Sequence, residues 1–310
     1  MESFADRLAG NVIRCGNPVL VGLDPRFEQL PQGLQQGYDA TDNVQKAAAY
    51  AEFCRGVIDV VASLVPAVKP QAAFFEQLGP AGMVALGEVV AYASERELLV
   101  IMDGKRNDIG STATAYAQGF LGSQGQSAWG ADALTVSPYL GDDSLTPFVD
   151  VAVERSAGVF VLVKTSNPGG GMFQDLAADG SCLYQHVAEY VEKLAQDTAG
   201  ECGYGAVGAV AGATYPEQLG ELRAAMPHTW FLVPGFGAQG GSAADVAAAM
   251  DDRGLGGIVN NSRGIIFAHA KEPYRERFGD ERWQEAVEAA TRDMIDALRS
   301  ETPAGRLAVH

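Results

Sequence analysis

The sequence has little basic charge and no long apolar run. Its 22 lysines and arginines are outnumbered by 39 acidic residues, so the formal net charge is −17. Proteins that bind nucleic acid or anionic membranes need a basic face toward phosphate groups, and a membrane-spanning helix needs about 20 consecutive apolar residues. The sequence therefore argues against a nucleic-acid-binding surface, a surface for anionic membranes and a membrane-spanning helix. Any anionic ligand has to be held by a local cluster of cations.

Cysteine and histidine are also scarce, with four residues of each among 310. The cysteines form no C-x-x-C pair and have no zinc-ligand spacing with histidine, which argues against a disulfide framework or a zinc site. They are Cys15, Cys54, Cys182 and Cys202. The N-terminal segment lacks the apolar core of a secretion signal, and we expect a reducing, cytoplasmic location. No histidine lies in a motif, so core or surface roles are expected for His186, His228, His269 and His310.

The sequence instead alternates short apolar, β-rich runs with alanine-rich helical segments, as a parallel α/β sheet does. Strands are predicted at residues 19–24, 65–69, 98–103, 133–137, 159–163, 206–211, 230–234 and 257–260. Near-continuous apolar strands imply burial on both faces, and eight β/α units favour one closed (β/α)8 TIM barrel over a doubly wound sheet plus a second domain. We predict a single domain over residues 1–310, with extra flanking helices at both termini and a frayed tail at about 301–310.

Polar residues close the predicted strands. In (β/α)8 barrels the active site lies at the C-terminal ends of the strands. These ends carry an unusual set of polar side chains in this chain, namely Asp24, Lys69, Asp103, Lys105, Ser137, Lys164, Gln239 and Arg263. So many polar residues at equivalent positions favour an active site at this end of the barrel over coincidence.

A charged cluster follows the third predicted strand. Residues two apart on a strand point to the same face, so Asp103 and Lys105 should both face the barrel mouth. One interpretation is a solvated loop with an ion pair that contributes little. The other is a lysine kept as an ammonium by carboxylates on either side, Asp103 and Asp108, and able to deliver a proton. The whole string D-x-K-R-x-D-I-x-x-T favours the second interpretation.

This string resembles the signature of the orotidine 5'-monophosphate decarboxylase family, and in particular of its longer bacterial branch, type 2. Further segments are similar to that family in the same order along the chain: residues 23–25, 68–76, 137–141, 165–168, 234–241 and 262–265. The resemblance implies conversion of orotidine 5'-monophosphate (OMP) to UMP and CO2 in de novo pyrimidine biosynthesis, without cofactor or metal.

The resemblance also implies a role for each residue of the charged cluster. Lys105 matches the proton donor to C6 of the pyrimidine, and Asp103 matches the acid that lies against the substrate carboxylate. Asp108 and Thr112 would reach across the two-fold interface of a homodimer into the neighbouring site. Lys69, Asp103, Lys105 and the partner subunit's Asp108 would then form a Lys–Asp tetrad.

Substrate contacts follow from the same resemblance. Asp24 and Lys69 would hold ribose hydroxyls, and Ser137 would bond the pyrimidine edge. The 5'-phosphate would lie after the seventh and eighth strands, where barrels commonly bind phosphate. The residues implied there are Pro234, Gln239, Arg263 and Gly264, with residues 235–245 as a lid.

Two alternatives remain open. One is a Mg2+-dependent sugar-phosphate decarboxylase or aldolase of the same superfamily, which needs an extra carboxylate close after the second-strand lysine, where this chain has Pro70-Gln71-Ala72. The other is a catalytically inactive barrel that only binds a nucleotide. Roles for Glu76 and Lys164, both near strand ends, are also left open.

Overall fold

The computed structural model describes residues 2–237 and 241–307, and its centre is a closed barrel of parallel strands. The barrel strands are β1 (Val19–Leu23), β2 (Ala67–Pro70), β3 (Leu99–Arg106), β4 (Ala133–Val136), β5 (Gly158–Lys164), β6 (Val207–Ala211), β7 (Phe231–Val233) and β8 (Gly257–Asn261). Each strand pairs with its sequence neighbours, and β8 returns to pair with β1, where Leu20 faces Asn260. The predicted (β/α)8 barrel is confirmed.

The strands form because they are apolar on both faces. Every residue of β1, β2, β4, β6 and β7 is buried, so one face packs inside the barrel and the other against the surrounding helices. A strand buried on both sides does not show polar–apolar alternation, which is why continuous apolar runs located these strands.

Helices follow the strands and surround the barrel. They are α1 (Phe4–Cys15), α2 (Gln32–Gly37), α3 (Asn43–Val61), α4 (Ala72–Glu76), α5 (Pro80–Glu95), α6 (Gly110–Phe120), α7 (Asp142–Glu154), α8 (Gly171–Gln174), α9 (Leu183–Asp197), α10 (Pro216–Ala225), α11 (Ala243–Val246), α12 (Arg263–Ile266), α13 (Tyr274–Phe278) and α14 (Trp283–Glu301). Among the described residues, no helix has the length and hydropathy that crossing a membrane requires.

The flanking helix α1 lies against the N-terminal ends of the strands. Ser3 caps it by accepting a hydrogen bond from the Asp6 backbone N–H at 3.1 Å, and it ends at Gly16 in the left-handed conformation. The Phe4 ring packs edge-on to Phe160 with 6.0 Å between centroids. A Cβ on Gly158 would lie 2.2 Å from the Phe4 ring, so glycine is required there for α1 to dock.

The prediction of a frayed tail is wrong for residues 301–307. Glu301 ends α14, and a 3-10 turn follows at Pro303–Arg306. Ala304 and Leu307 are buried, and the Arg306 guanidinium donates to the Asp252 carbonyl at 2.7 Å. Two apolar anchors in a polar segment order it, which composition alone did not show. Residues 308–310 lie outside the described residues.

Candidate active site

One buried carboxylate organises the C-terminal end of the barrel. Asp103 on β3 accepts hydrogen bonds from Lys69 Nζ at 2.7 Å, Gln71 Nε2 at 2.9 Å, Lys105 Nζ at 2.5 Å and Thr135 Oγ1 at 3.0 Å. Lys69 and Gln71 bind one carboxylate oxygen, and Lys105 and Thr135 bind the other. The strands β2, β3 and β4 therefore converge on a single acid, which fixes the positions of two ammonium groups.

The end of β3 departs from regular strand geometry where Lys105 lies. The β3–β4 register shifts between Met102 and Arg106, and Lys105 has a φ of 44°, in the left-handed region that favours glycine. Its backbone N–H is satisfied by Thr135 Oγ1 at 2.9 Å. Such backbone strain is typical of functional sites, where the surrounding structure holds it.

Burial and neighbouring charges have opposite effects on the pKa values of Asp103 and Lys69. Burial alone would raise the pKa of Asp103, but the ammonium groups of Lys69 and Lys105 outweigh it and hold that pKa well below its ordinary value. Burial would lower the pKa of Lys69, but the carboxylates of Asp103 and Asp24 outweigh it and raise that pKa. Asp103 and Lys69 are therefore both ionised at neutral pH and place fixed charges beside the cavity.

A cavity of about 680 Å³ opens beside this array. Of the residues predicted for the site, it is lined by Asp24, Lys69, Asp103, Lys105 and Pro234. The buried Oδ1 of Asp24 has no hydrogen-bond partner among the described residues. A buried acceptor without a partner is suited to accept a hydrogen bond from a hydroxyl group of a ligand.

Other predicted residues lie elsewhere. In the described part of the chain, Asp108, Thr112 and Ser137 do not line the cavity, and Thr112 is exposed on α6. Arg263 lines a neighbouring cleft of about 510 Å³, together with His269 and Lys271.

Two of the residues expected to bind the phosphate, Gly264 and Gln239, are not shown free to do so in the described structure. The Gly264 N–H donates to Asn261 Oδ1 at 3.1 Å, so it is already satisfied. Gln239 and part of the expected lid lie outside the described residues.

Several cavity residues were missed by sequence reasoning. Gln71 and Thr135 bind Asp103, and Asn260 on β8 presents a second buried oxygen that lacks a partner among the described residues. Gln71 could have been found, because it stands two residues after Lys69, whereas Thr135 was hidden inside an apolar strand. The segment after β5 contributes Thr165, Ser166, Asn167, Gly169, Gly170, Phe173 and Gln174 to the lining.

Glu76 and Lys164, whose roles the sequence left open, lie outside the cavity lining. Glu76 forms an ion pair with Arg106, and Lys164 forms one with Asp175. Among residues 2–237 and 241–307, no group of three or more His, Cys, Asp or Glu side chains is arranged to hold a metal ion.

Comparison with known proteins finds one family throughout. Residues 18–276 match the model of the orotidine 5'-phosphate decarboxylase / HUMPS family. A protein of Rhodopirellula baltica named orotidine 5'-phosphate decarboxylase is 60% identical, over 96% of this chain and 100% of its own length. One of the same name from Caldicellulosiruptor bescii is 39% identical, over 87% and 91%. The structure of OMP decarboxylase from Leishmania donovani superposes with a TM-score of 0.74 and 33% identity, covering 99% of this chain and 100% of that one.

Proposed function

Because the chain belongs to the orotidine 5'-phosphate decarboxylase / HUMPS family, we propose that it converts OMP to UMP and CO2 with Lys105 as the proton donor. The observation that carries this proposal is the array of Lys69, Asp103 and Lys105 on one wall of the cavity. The array supplies a fixed positive charge and a transferable proton at the same place.

The proposed reaction uses both properties of Lys105. The bond between C6 and the carboxylate carbon breaks, the electron pair stays on C6, and CO2 leaves. A pyrimidine delocalises this negative charge poorly, so a preorganised ammonium nearby lowers the barrier. Lys105 Nζ then gives a proton to C6, which completes UMP. Asp103 positions this ammonium, and its own charge lies against the substrate carboxylate, where it disfavours the bound substrate more than the transition state.

The nucleoside would lie across the mouth of the barrel. Asp24 and Lys69 are proposed to bind ribose hydroxyls, which the free Oδ1 of Asp24 supports. For the pyrimidine edge, the cavity wall at Ser166 and Asn167 is better placed than Ser137, since both line the cavity.

The 5'-phosphate is assigned to Pro234, Gln239, Arg263 and Gly264, at the ends of β7 and β8. A guanidinium suits this task because its planar fork donates two parallel hydrogen bonds. Since Arg263 lines the adjacent cleft in the structure, binding requires its side chain to turn toward the cavity. The Gly264 N–H would have to exchange its bond to Asn261 Oδ1 for one to the phosphate.

A homodimer is part of the proposal. Asp108 and Thr112 lie off the cavity of their own chain. Large apolar side chains are exposed next to Asp108, at Ile109 (54%), and after the end of β4, at Tyr139 (77%) and Leu140 (48%). Large apolar side chains exposed together commonly mark an interface. Asp108 and Thr112 would then complete the partner's site. The four cysteines are free thiols, which supports a reducing location, proposed to be the cytoplasm.

The test is to mix the purified protein with OMP and follow the loss of orotate absorbance, with and without EDTA. Decarboxylation that EDTA leaves unchanged is the expected result. Activity that requires Mg2+ and a sugar-phosphate substrate would favour the related metal-dependent enzymes. Binding of UMP without any CO2 release would favour an inactive nucleotide-binding barrel.

A further inference from the structure

A second lysine is buried at the end of β5, outside the Lys105 array. The side chain of Lys164 is 2% exposed, and its Nζ forms an ion pair with Asp175. The rings of Tyr184 and Tyr215 pack against it, each with its centroid 5.0 Å from Nζ. Burying an ammonium group costs free energy unless the group is paired with an opposite charge. The ion pair therefore favours conformations in which Asp175 stays next to Lys164.

Lys164 itself does not line the cavity. Leu162, two residues earlier on β5, lines the cavity, and on a regular strand Lys164 would share its face. The β5–β6 register shifts between Leu162 and Lys164, however, and Lys164 is absent from the described cavity lining. Any influence of Lys164 on the reaction must therefore act through another group.

Asp175 stands at the base of a cavity wall. It follows α8, and the preceding residue, Gln174, accepts from the Thr165 N–H at 3.1 Å and donates to Thr165 Oγ1 at 2.8 Å. The ion pair and these two bonds close residues 165–174 into a loop. This loop provides seven of the eighteen residues that line the cavity. Phe173, near its end, is 53% exposed and lines the cavity.

We propose that Lys164 is a positioning residue for the decarboxylation: with Asp175 it holds the segment 165–174 as the wall against which the nucleotide binds. The inference rests on the proposed function, since it assigns this wall to OMP. Breaking the pair frees the wall without touching Lys105. Substrate binding should weaken, while the chemical step in the saturated enzyme stays nearly intact.

The first variant is Asp175→Asn, which removes the charge at a partly exposed position and should leave the fold intact. We expect KM for OMP to rise about tenfold and kcat to stay within about twofold of the parent value. Asp175→Glu should restore most of the affinity. The matched control is Asp179→Asn, the same change four residues further along the chain, where the side chain is exposed and has no hydrogen-bond or ion-pair partner in the described structure.

A second variant and a readout independent of activity complete the test. Lys164→Met keeps the length of the side chain without the charge and should raise KM in the same way. Chymotrypsin should cut the ligand-free Asp175→Asn variant after Phe173 faster than the control. An Asp175→Asn variant with the KM of the control would overturn the proposal, whether or not cleavage is faster. A parent enzyme without decarboxylase activity would instead refute the proposed function, and cleavage after Phe173 would still report on the wall.

Discussion

The two lysines that bind Asp103 differ in exposure. The Lys69 side chain is 5% exposed and that of Lys105 is 47% exposed, although both contact the same carboxylate. A buried ammonium fixed by Asp103 has little freedom to move, whereas a half-exposed one can approach a ligand. This difference fits the proposed roles, in which Lys69 holds the array together and Lys105 donates the proton.

Replacing Lys105 by alanine should nearly abolish turnover. General acid catalysis contributes about 10²–10⁴-fold and a preorganised charge about 10²–10³-fold, so we expect kcat to fall by at least about 10⁴-fold. Binding of UMP, measured by calorimetry, should persist because the phosphate and ribose contacts remain. Lys193→Ala, at an exposed position of α9, is the control. Turnover near the parent rate in Lys105→Ala would refute the assigned role.

The ionised pair of Asp103 and Lys69 should also shape the pH dependence of stability. The folded pKa of Asp103 lies below its ordinary 3.8, so its contribution is present above that value and is lost as the pH falls toward the folded pKa. The folded pKa of Lys69 lies above its ordinary 10.5, so its contribution is present below 10.5 and is lost as the pH rises through the folded pKa.

Asp103→Asn tests this account, because it leaves Lys69 buried without its main partner. We expect the variant to lose about 3–5 kcal/mol of unfolding free energy at pH 7, a range typical of broken buried pairs. The loss relative to the parent should shrink as the pH falls below about 4. Urea unfolding at several pH values measures both effects. A constant difference across the acidic range would contradict the account.

Strand-end reasoning identified Lys69, Asp103 and Lys105 because the position of a residue along an apolar run fixes where it emerges from the barrel. Ser137 and Arg263 do not line the cavity in the structure. Side-chain direction beyond a strand end depends on turns and neighbours that the pattern does not contain. Thr135 was missed because it lies within a strand that composition describes as apolar, whereas Asn260 closes the eighth predicted strand and could have been found by the same reasoning.

Among the strands, β3 differs most from expectation. It was predicted to end at Asp103 and instead continues to Arg106, after the register shift that gives Lys105 its left-handed backbone. The apolar run ends where β3 leaves the core, but pairing with β4 continues beyond it. The other seven strands begin and end within two residues of their predicted bounds, because the apolar runs that define them are local signals.

Thr135 joins β4 to this irregular end of β3. Its hydroxyl accepts from the Lys105 N–H and donates to Asp103. Thr135→Val keeps the shape and removes both bonds, so we expect about 1–3 kcal/mol of lost stability and about a tenfold lower kcat. Thr135→Ser retains the hydroxyl and should keep kcat near the parent value. Thermal unfolding and steady-state kinetics measure the two effects; equal kcat in both variants would contradict the bridging role.

Asp108 and Thr112 do not line the cavity of their own chain. The proposed dimer can therefore be tested with heterodimers whose two subunits carry different inactivating substitutions. Heterodimers with Lys105→Ala in one subunit and Asp108→Asn in the other should have one intact site, and therefore about half the activity of the parent dimer. Two affinity tags allow such heterodimers to be isolated and assayed.

The control places both substitutions in one subunit beside an unchanged partner. It should be inactive, because the unchanged Lys105 then meets the altered Asp108 of the other subunit. If Asp108 acted within its own chain, the two results would be reversed: the first heterodimer would be inactive and the control half active.

The pairing of β1 with β8 has a consequence for synthesis. Leu20 and its partner Asn260 are separated by 240 positions, so most of the chain must be synthesised before β8 can pair with β1 and close the barrel. Until then β1 and the most recently made strand both present unsatisfied backbone edges, which favour association with other nascent chains. The protein therefore depends most on chaperones in the period before β8 pairs with β1. A chain truncated before residue 257 should aggregate rather than accumulate as a soluble fragment.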